Sequence, residues 1–330
     1  MTTQTTWAAR AAWLLLALAG ALIVTAAFLV RGAPTDVPGL EVATAEDVVD
    51  SILDLAFPLV GALVVSRDPR NLFGWAFCAV GVCFEASIFA GSYSTYGTFT
   101  NPGSLPGPQL LSLASDLLFV PSLVLGVTLV PLLYPTGRPP TPRWWAVAAG
   151  ALACVVLATI SMAIRPGPVD EDVPSSGANP LGIAGAGGVA DALELAGLVL
   201  LLVATLGSLV SVIVRFRRST GEERRQLRIF LAGCAVVFGV FFLPDDLLGL
   251  DGQTAQVTLA VVGILALPVA VAIALLRPPS RPGTDGAPQG GRPYALGVSR
   301  PSAPRRVSAD APTAAANASA SSSSRPSASA

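Results

Sequence analysis

Residues 11–30 read AAWLLLALAGALIVTAAFLV, twenty consecutive residues without a charge, closed by Arg10 on one side and Arg31 on the other. A helix rises about 1.5 Å per residue, so roughly twenty apolar residues cross a hydrocarbon core of about 30 Å. The stretch reads as a membrane-spanning helix. Seven further apolar runs follow it: residues 47–65, 72–93, 109–133, 144–164, 189–214, 229–243 and 255–276, of which 229–243 is the shortest. The expected fold is all-α: a polytopic α-helical membrane protein with about eight transmembrane helices over residues 1–276. A cleaved secretion signal is not expected, because the first run exceeds the ~7–15 apolar residues of such signals and a single arginine precedes it.

Composition agrees. Hydrophobic residues make up 52% and charged residues 12%, about half the ~25% of a soluble domain. The chain has no histidine and no lysine, so its 20 basic residues are all arginine, against 21 acids. Ser-His catalysis, histidine-ligated zinc or haem, a phospho-accepting histidine, lysine Schiff bases and a P-loop lysine are all excluded.

Arginine also sets the expected orientation, because basic residues near span ends are retained in the cytoplasm. With the N-terminus inside, 18 arginines fall in cytoplasmic segments and only Arg31 and Arg165 fall outside. Both termini are then cytoplasmic. Residues 277–330 are a different material, rich in Ala, Ser, Pro, Arg and Gly with almost nothing large and apolar. Such a segment cannot offset its ordering entropy by burial, and a disordered cytoplasmic tail is expected. The sequon at Asn317 is accidental in such a tail.

Three ionisable residues lie inside expected spans, where a charge costs about 2.5–3.5 kcal/mol at a helix centre. Asp54 and Asp116 each lie ~10 Å in from the outer ends of their helices, and Glu85 ~12 Å from its own. They share one depth in the outer half of the bilayer, with no cationic side chain there. They are protonated, hydrogen-bonded to Ser87, Ser92 or Tyr93, or open to a watery vestibule that holds a cation; otherwise each only specifies helix packing. Pro58, Pro121, Pro131 and Pro268 should kink their spans. Cys78, Cys83, Cys154 and Cys234 share no C-x-x-C spacing and read as buried small hydrophobes. Residues 182–188 are glycine-rich but lack a nucleotide-binding context and read as an outer loop. No cofactor or metal set can be assembled, and nucleic acid is not an expected partner. No Gly-x-x-x-Gly motif that would specify an oligomer lies within the expected spans.

The segment 215–228, RFRRSTGEERRQLR, carries net charge +4 and reads as a cytoplasmic loop. Arg215, Arg217, Arg218, Glu223, Arg224, Arg225 and Arg228 are its candidate contacts, either to anionic lipid, at about 1 kcal/mol per arginine, or to a cytoplasmic protein.

At this loop the chain resembles the membrane-embedded N-terminal half of bacterial multi-pass sensor histidine kinases. Arg217, Arg218, Gly221, Glu223, Arg224, Gln226, Leu227 and Arg228 match that family's R-R-x-x-G-x-E-R-x-Q-L-K/R stretch. Arg70-Asn71-Leu72-Phe73-Gly74-Trp75 looks like its R-N-P-I-G-W, with Leu72 in place of proline. Tyr93, Tyr96, Gly97 and the run Pro102-Gly103-Ser104-Leu105-Pro106-Gly107 look like its outer loop. Tyr134-Pro135-Thr136-Gly137-Arg138, ending at Arg143-Trp144, looks like its F-P-D-G-R…RW inner loop, with Thr136 in place of aspartate. Asn179-Pro180-Leu181-Gly182-Ile183 and residues 267–273 complete the set. The family continues into dimerisation and ATP-binding domains, whereas here Leu276 is followed by Arg277-Pro278-Pro279-Ser280. The resemblance implies a sensor half without its transmitter: a non-catalytic module, truncated or orphan, in the bilayer of the plasma membrane, with a separate kinase or response regulator as partner. The competing expectation is a small-molecule or ion transporter built on the intramembrane carboxylates.

A chain without lysine comes from a GC-rich gene, and out-of-frame reading of such DNA yields Arg, Pro, Gly, Ala and Ser. A frameshift near residue 277 is therefore expected. Translating the downstream DNA in the other two frames should uncover kinase sequence, and none within a few hundred codons refutes it.

Overall fold

The computed structural model describes residues 2–38, 40, 45–169, 173, 176–242, 262 and 265–274, and among these every regular element is helical. The elements are α1 (Thr2–Leu29), α2 (Ala45–Asp54), α3 (Ala56–Arg67), α4 (Leu72–Thr95), α5 (Pro108–Val124), α6 (Val130–Leu133), α7 (Trp145–Ile164), α8 (Gly187–Arg218), α9 (Gly221–Phe242) and α10 (Leu265–Ala274). Five stretches are long and apolar enough to cross a membrane: Thr6–Leu29, Leu72–Thr100, Pro108–Leu133, Pro142–Ile164 and Gly187–Arg218. The tail, with its expected disorder, lies outside the described residues, as does much of the eighth expected span.

Side chains are distributed inside out relative to a water-soluble bundle. Leu195, Leu198, Leu202, Leu206 and Leu209 of α8 face outward, while Ser122, Thr128, Ser161, Ser208 and Ser211 are buried. That is the arrangement of a membrane protein, where the surrounding solvent is as apolar as leucine and polar groups seek partners within the bundle. Buried serines donate across helix pairs: Ser122 to Val80 O (3.0 Å), Ser161 to Ala190 O (2.8 Å) and Ser208 to Thr128 O (2.8 Å).

Helix α4 is central, packing on α1, α3 and α5, while α5 passes the bundle on to α7 and α7 to α8. Glycines set the closest approach. A β-carbon on Gly81 would lie 2.3 Å from Cδ of Pro58, one on Gly61 2.7 Å from Sγ of Cys78, and one on Gly74 2.9 Å from Cγ1 of Val64. Gly74 and Gly81 stand two turns apart on one face of α4, a spacing that a search for Gly-x-x-x-Gly passes over.

Two expected spans differ. Residues 47–65 form not one helix but two, α2 and α3, joined at Leu55. Pro58 has no N–H to return to the Asp54 carbonyl, and the hydrogen-bond ladder breaks there. The expected loop at 215–228 is a short link at Ser219 and Thr220, with α8 extending to Arg218 and α9 starting at Gly221. In the fourth span Pro131 cannot donate to Val127, and the turn ahead of it, Leu125–Leu129, widens to a π-helix.

Replacing Gly81 by Ala should destabilise the bundle by about 1–3 kcal/mol through overpacking against Pro58. Gly150→Ala, with open space around it, should be neutral or slightly stabilising. Thermal unfolding of the two variants in detergent measures the difference.

Candidate functional site

At the arginine-rich end of the bundle three segments distant in sequence meet around Tyr134. Its ring is fully buried, stacks on Phe230 of α9 (4.2 Å between centroids, 14° between planes) and meets Phe73 of α4 in an edge-to-face contact (5.2 Å, 68°). Phe73 continues to Phe77 (4.8 Å) and Phe77 to Phe57 of α3 (5.2 Å), so aromatic contacts run unbroken from α3 to α9. The Tyr134 hydroxyl donates to Gln226 O (3.2 Å), and burial pushes that phenol above its ordinary range.

Arg215 holds this junction. It is 8% exposed, and its guanidinium donates to the carbonyl of Tyr134 and, at 2.6 Å, to that of Arg138. Both acceptors are backbone carbonyls, Tyr134 at the end of α6 and Arg138 in the turn beyond it, so the buried guanidinium is met by peptide dipoles, with no carboxylate contact among the described residues. The turn it grips, which includes a cis Tyr134–Pro135 peptide, is tight. Gly137 is left-handed at φ 72°, and a β-carbon there would lie 2.3 Å from Oδ1 of Asn71. That Oδ1 caps α4 by accepting from the Phe73 N–H (3.0 Å).

The candidate residues at 215–228 therefore divide. Arg215 is spent inside the fold. Arg225 pairs with Glu222 in its own helix through Nε to Oε2 (2.8 Å) and a second, shorter contact, which holds the Glu222 carboxyl below its usual range. Glu223 acts electrostatically on Arg215. Arg217, Arg218, Arg224 and Arg228 remain exposed, with Arg224 over the Phe216 ring at 5.0 Å. These four are the arginines of the segment left open to the surroundings.

The intramembrane carboxyls also divide. Glu85 is completely buried, Asp54 is 8% exposed, and the two are close enough to act on one another. Asp116 is exposed on α5. The expected hydroxyl partners of Glu85 are engaged elsewhere: Ser92 with Ile88 O, Tyr93 with Pro106 O, and Ser87 with Ser115 on α5. Among the described residues no group of acidic or cysteine side chains is placed to hold a metal, and the four cysteines are free thiols.

At the opposite end Asn179 closes α7. Its amide donates to the carbonyls of Met162, Ala163 and Arg165 (3.0, 3.3 and 2.8 Å). Arg165 then pairs with Asp191 (2.9 Å) and Glu194 of α8. These pairs are half-exposed and position the link between α7 and α8 rather than forming a reactive centre.

No protein-family model, curated protein or solved structure matches the chain.

Sequence reasoning missed the Tyr134–Arg215 junction. One signal was present: Gly197, Ala204, Ser208 and Ser211 form a small-residue stripe at helical spacing, and Arg215 continues it one turn on. Arg217 and Arg218 fall off that stripe.

Arg215→Ala should cost a few kcal/mol, since hydrogen bonds to a charged donor contribute about 1.5–3 kcal/mol each. Arg215→Lys should recover little, because an ammonium cannot fork between two carbonyls. Arg217→Ala should stay within about 0.5 kcal/mol of the parent. Thermal melts in detergent rank the three.

Proposed function

We propose that this protein is a non-catalytic signalling module of the membrane, similar to the sensor half of multi-pass histidine kinases, working on a separate cytoplasmic kinase or response regulator. The observation that carries the reading is the convergence of residues 70–75, 134–138 and 215–228 on one junction. These are the segments in which the likeness to that family is densest. They cooperate physically: Asn71 seats Gly137, Arg215 grips Tyr134 and Arg138, and Gln226 accepts from Tyr134. A displacement of α3 or α4 reaches α9 through the Phe57–Phe77–Phe73–Tyr134–Phe230 contacts.

In this reading the chain crosses the plasma membrane about eight times, α2 and α3 counting as one kinked span, and both termini are cytoplasmic. The exposed Arg217, Arg218, Arg224 and Arg228 then lie at the inner leaflet. There they meet anionic lipid headgroups and an acidic surface on the signalling partner.

A second reading, a transporter, draws on the buried Asp54–Glu85 pair beside the break at Leu55. One experiment separates the two. The full-length chain, cross-linked in its native membrane and purified, should bring down a kinase or response regulator, and reversing Arg217, Arg218, Arg224 and Arg228 to Glu should cut recovery at least tenfold. Absence of such a protein, together with solute flux in proteoliposomes, refutes the sensor reading in favour of transport.

A further inference from the structure

Asp54 and Glu85 sit on different helices, and the packing of those helices sets them together. α3 and α4 run antiparallel in a fixed register: Pro58 abuts Gly81, Gly61 abuts Cys78, and Val64 and Val65 abut Gly74. Cys78 adds a thiol hydrogen bond to Pro58 O (3.7 Å). Asp54 stands one turn before Pro58, and Glu85 one turn after Gly81. Continuing the register by that turn brings the two residues level with one another across the helix contact, near enough for their carboxyls to interact electrostatically.

Their surroundings are acidic or neutral. α2 contributes Asp50, which acts electrostatically on Asp54, and its sequence also carries Glu46 and Asp47. α4 contributes the thiols of Cys78 and Cys83 and the phenol of Tyr93, and α5 contributes Asp116, which is exposed. α3 has only the terminal Arg67 and α1 only Arg10, while α4 and α5 have no basic residue. Neither oxygen of Glu85 has a hydrogen-bond partner among the described residues, although the side chain is wholly buried. An unpartnered buried carboxyl is costly, and a proton shared with a second carboxyl is the least expensive remedy available here.

We propose that Asp54 and Glu85 form a proton-binding carboxyl pair inside the bundle, holding one proton between them and exchanging further protons with the medium. Two neighbouring carboxyls away from water do not both ionise, so at least one of them keeps a proton. A proton is favoured over a divalent cation because no three acidic side chains among the described residues are placed to coordinate one. The pair also straddles a joint. Asp54 is the last residue of α2, and the missing N–H of Pro58 leaves its carbonyl out of the helical ladder. A change of charge on the pair therefore acts where α2 meets α3, while the glycine contacts below keep α3 on α4. The inference goes beyond the signalling role and stands with or without a separate partner.

Infrared titration of the purified full-length chain in lipid nanodiscs, from about pH 5 to about pH 9, reads the pair through the carbonyl band of protonated carboxyls. The parent should lose this band over a broad, two-step range. Glu85→Gln and Asp54→Asn should each remove part of it and leave the remaining carboxyl titrating in a single step, whereas Asp116→Asn should preserve the two-step curve. Thermal melts identify any variant that fails to fold, and because the two substitutions are made on different helices, either one tests the coupling. Three results overturn the proposal: a parent without the band, single variants in which the other carboxyl titrates as before, and displacement of the proton by sodium or calcium ions at fixed pH.

Discussion

A single guanidinium, that of Arg215, decides how the arginine-rich end of this bundle is built. Buried in a setting with little water, it must be met by acceptors, and the nearest are the carbonyls of Tyr134 and Arg138. Meeting them fixes the turn after α6, and that turn can close only because Gly137 adopts a left-handed conformation against Asn71. Asn71 in turn starts α4, the helix on which α1, α3 and α5 all pack. The aromatic contacts around Tyr134 tie the same turn to α9. One charge thus positions elements from four parts of the sequence, with no carboxylate in contact with it among the described residues.

The far side of α4 obeys a different constraint. There the helices approach through glycines and a proline, so contact is governed by backbone shape rather than by polar partners. Shape fixes register more tightly than depth does, and it is the register that sets Asp54 opposite Glu85. The same Pro58 that fits against Gly81 also interrupts the helix above it. Close packing and the α2–α3 joint therefore have one cause.

Much of the fold could be read from the sequence because hydropathy is a one-dimensional property. The uncharged run from Ala11 is a helix wherever it is placed in a membrane, and α1, α4, α5, α7 and α8 coincide with expected spans. What could not be read was rotation about the helix axis. Depth put Asp116 level with Glu85, yet Ser115 is the residue that faces α4, and Asp116, about 100° round the helix, faces away. Likewise Arg215 and Arg217 look alike in a basic segment, and only the stripe of Gly197, Ala204, Ser208 and Ser211 separates the inward one from the outward one. Hydropathy also saw residues 47–65 as continuous, since it does not register the hydrogen bond that Pro58 cannot make.

α1 packs along α3 and α4, with a Trp13–Ser66 hydrogen bond (3.2 Å) and a small cluster of Ala12, Ala62, Val65 and Cys78 at the contact. All of these partners lie on α3 and α4, which are synthesised after it. Both neighbours of α1 are therefore complete at Thr95, before α5, α7 or α8 has been made. Until α3 and α4 are complete its small-residue face has only lipid or the insertion machinery to lean on, and from there each later helix can add to one already made, so this bundle can assemble in the order of its sequence.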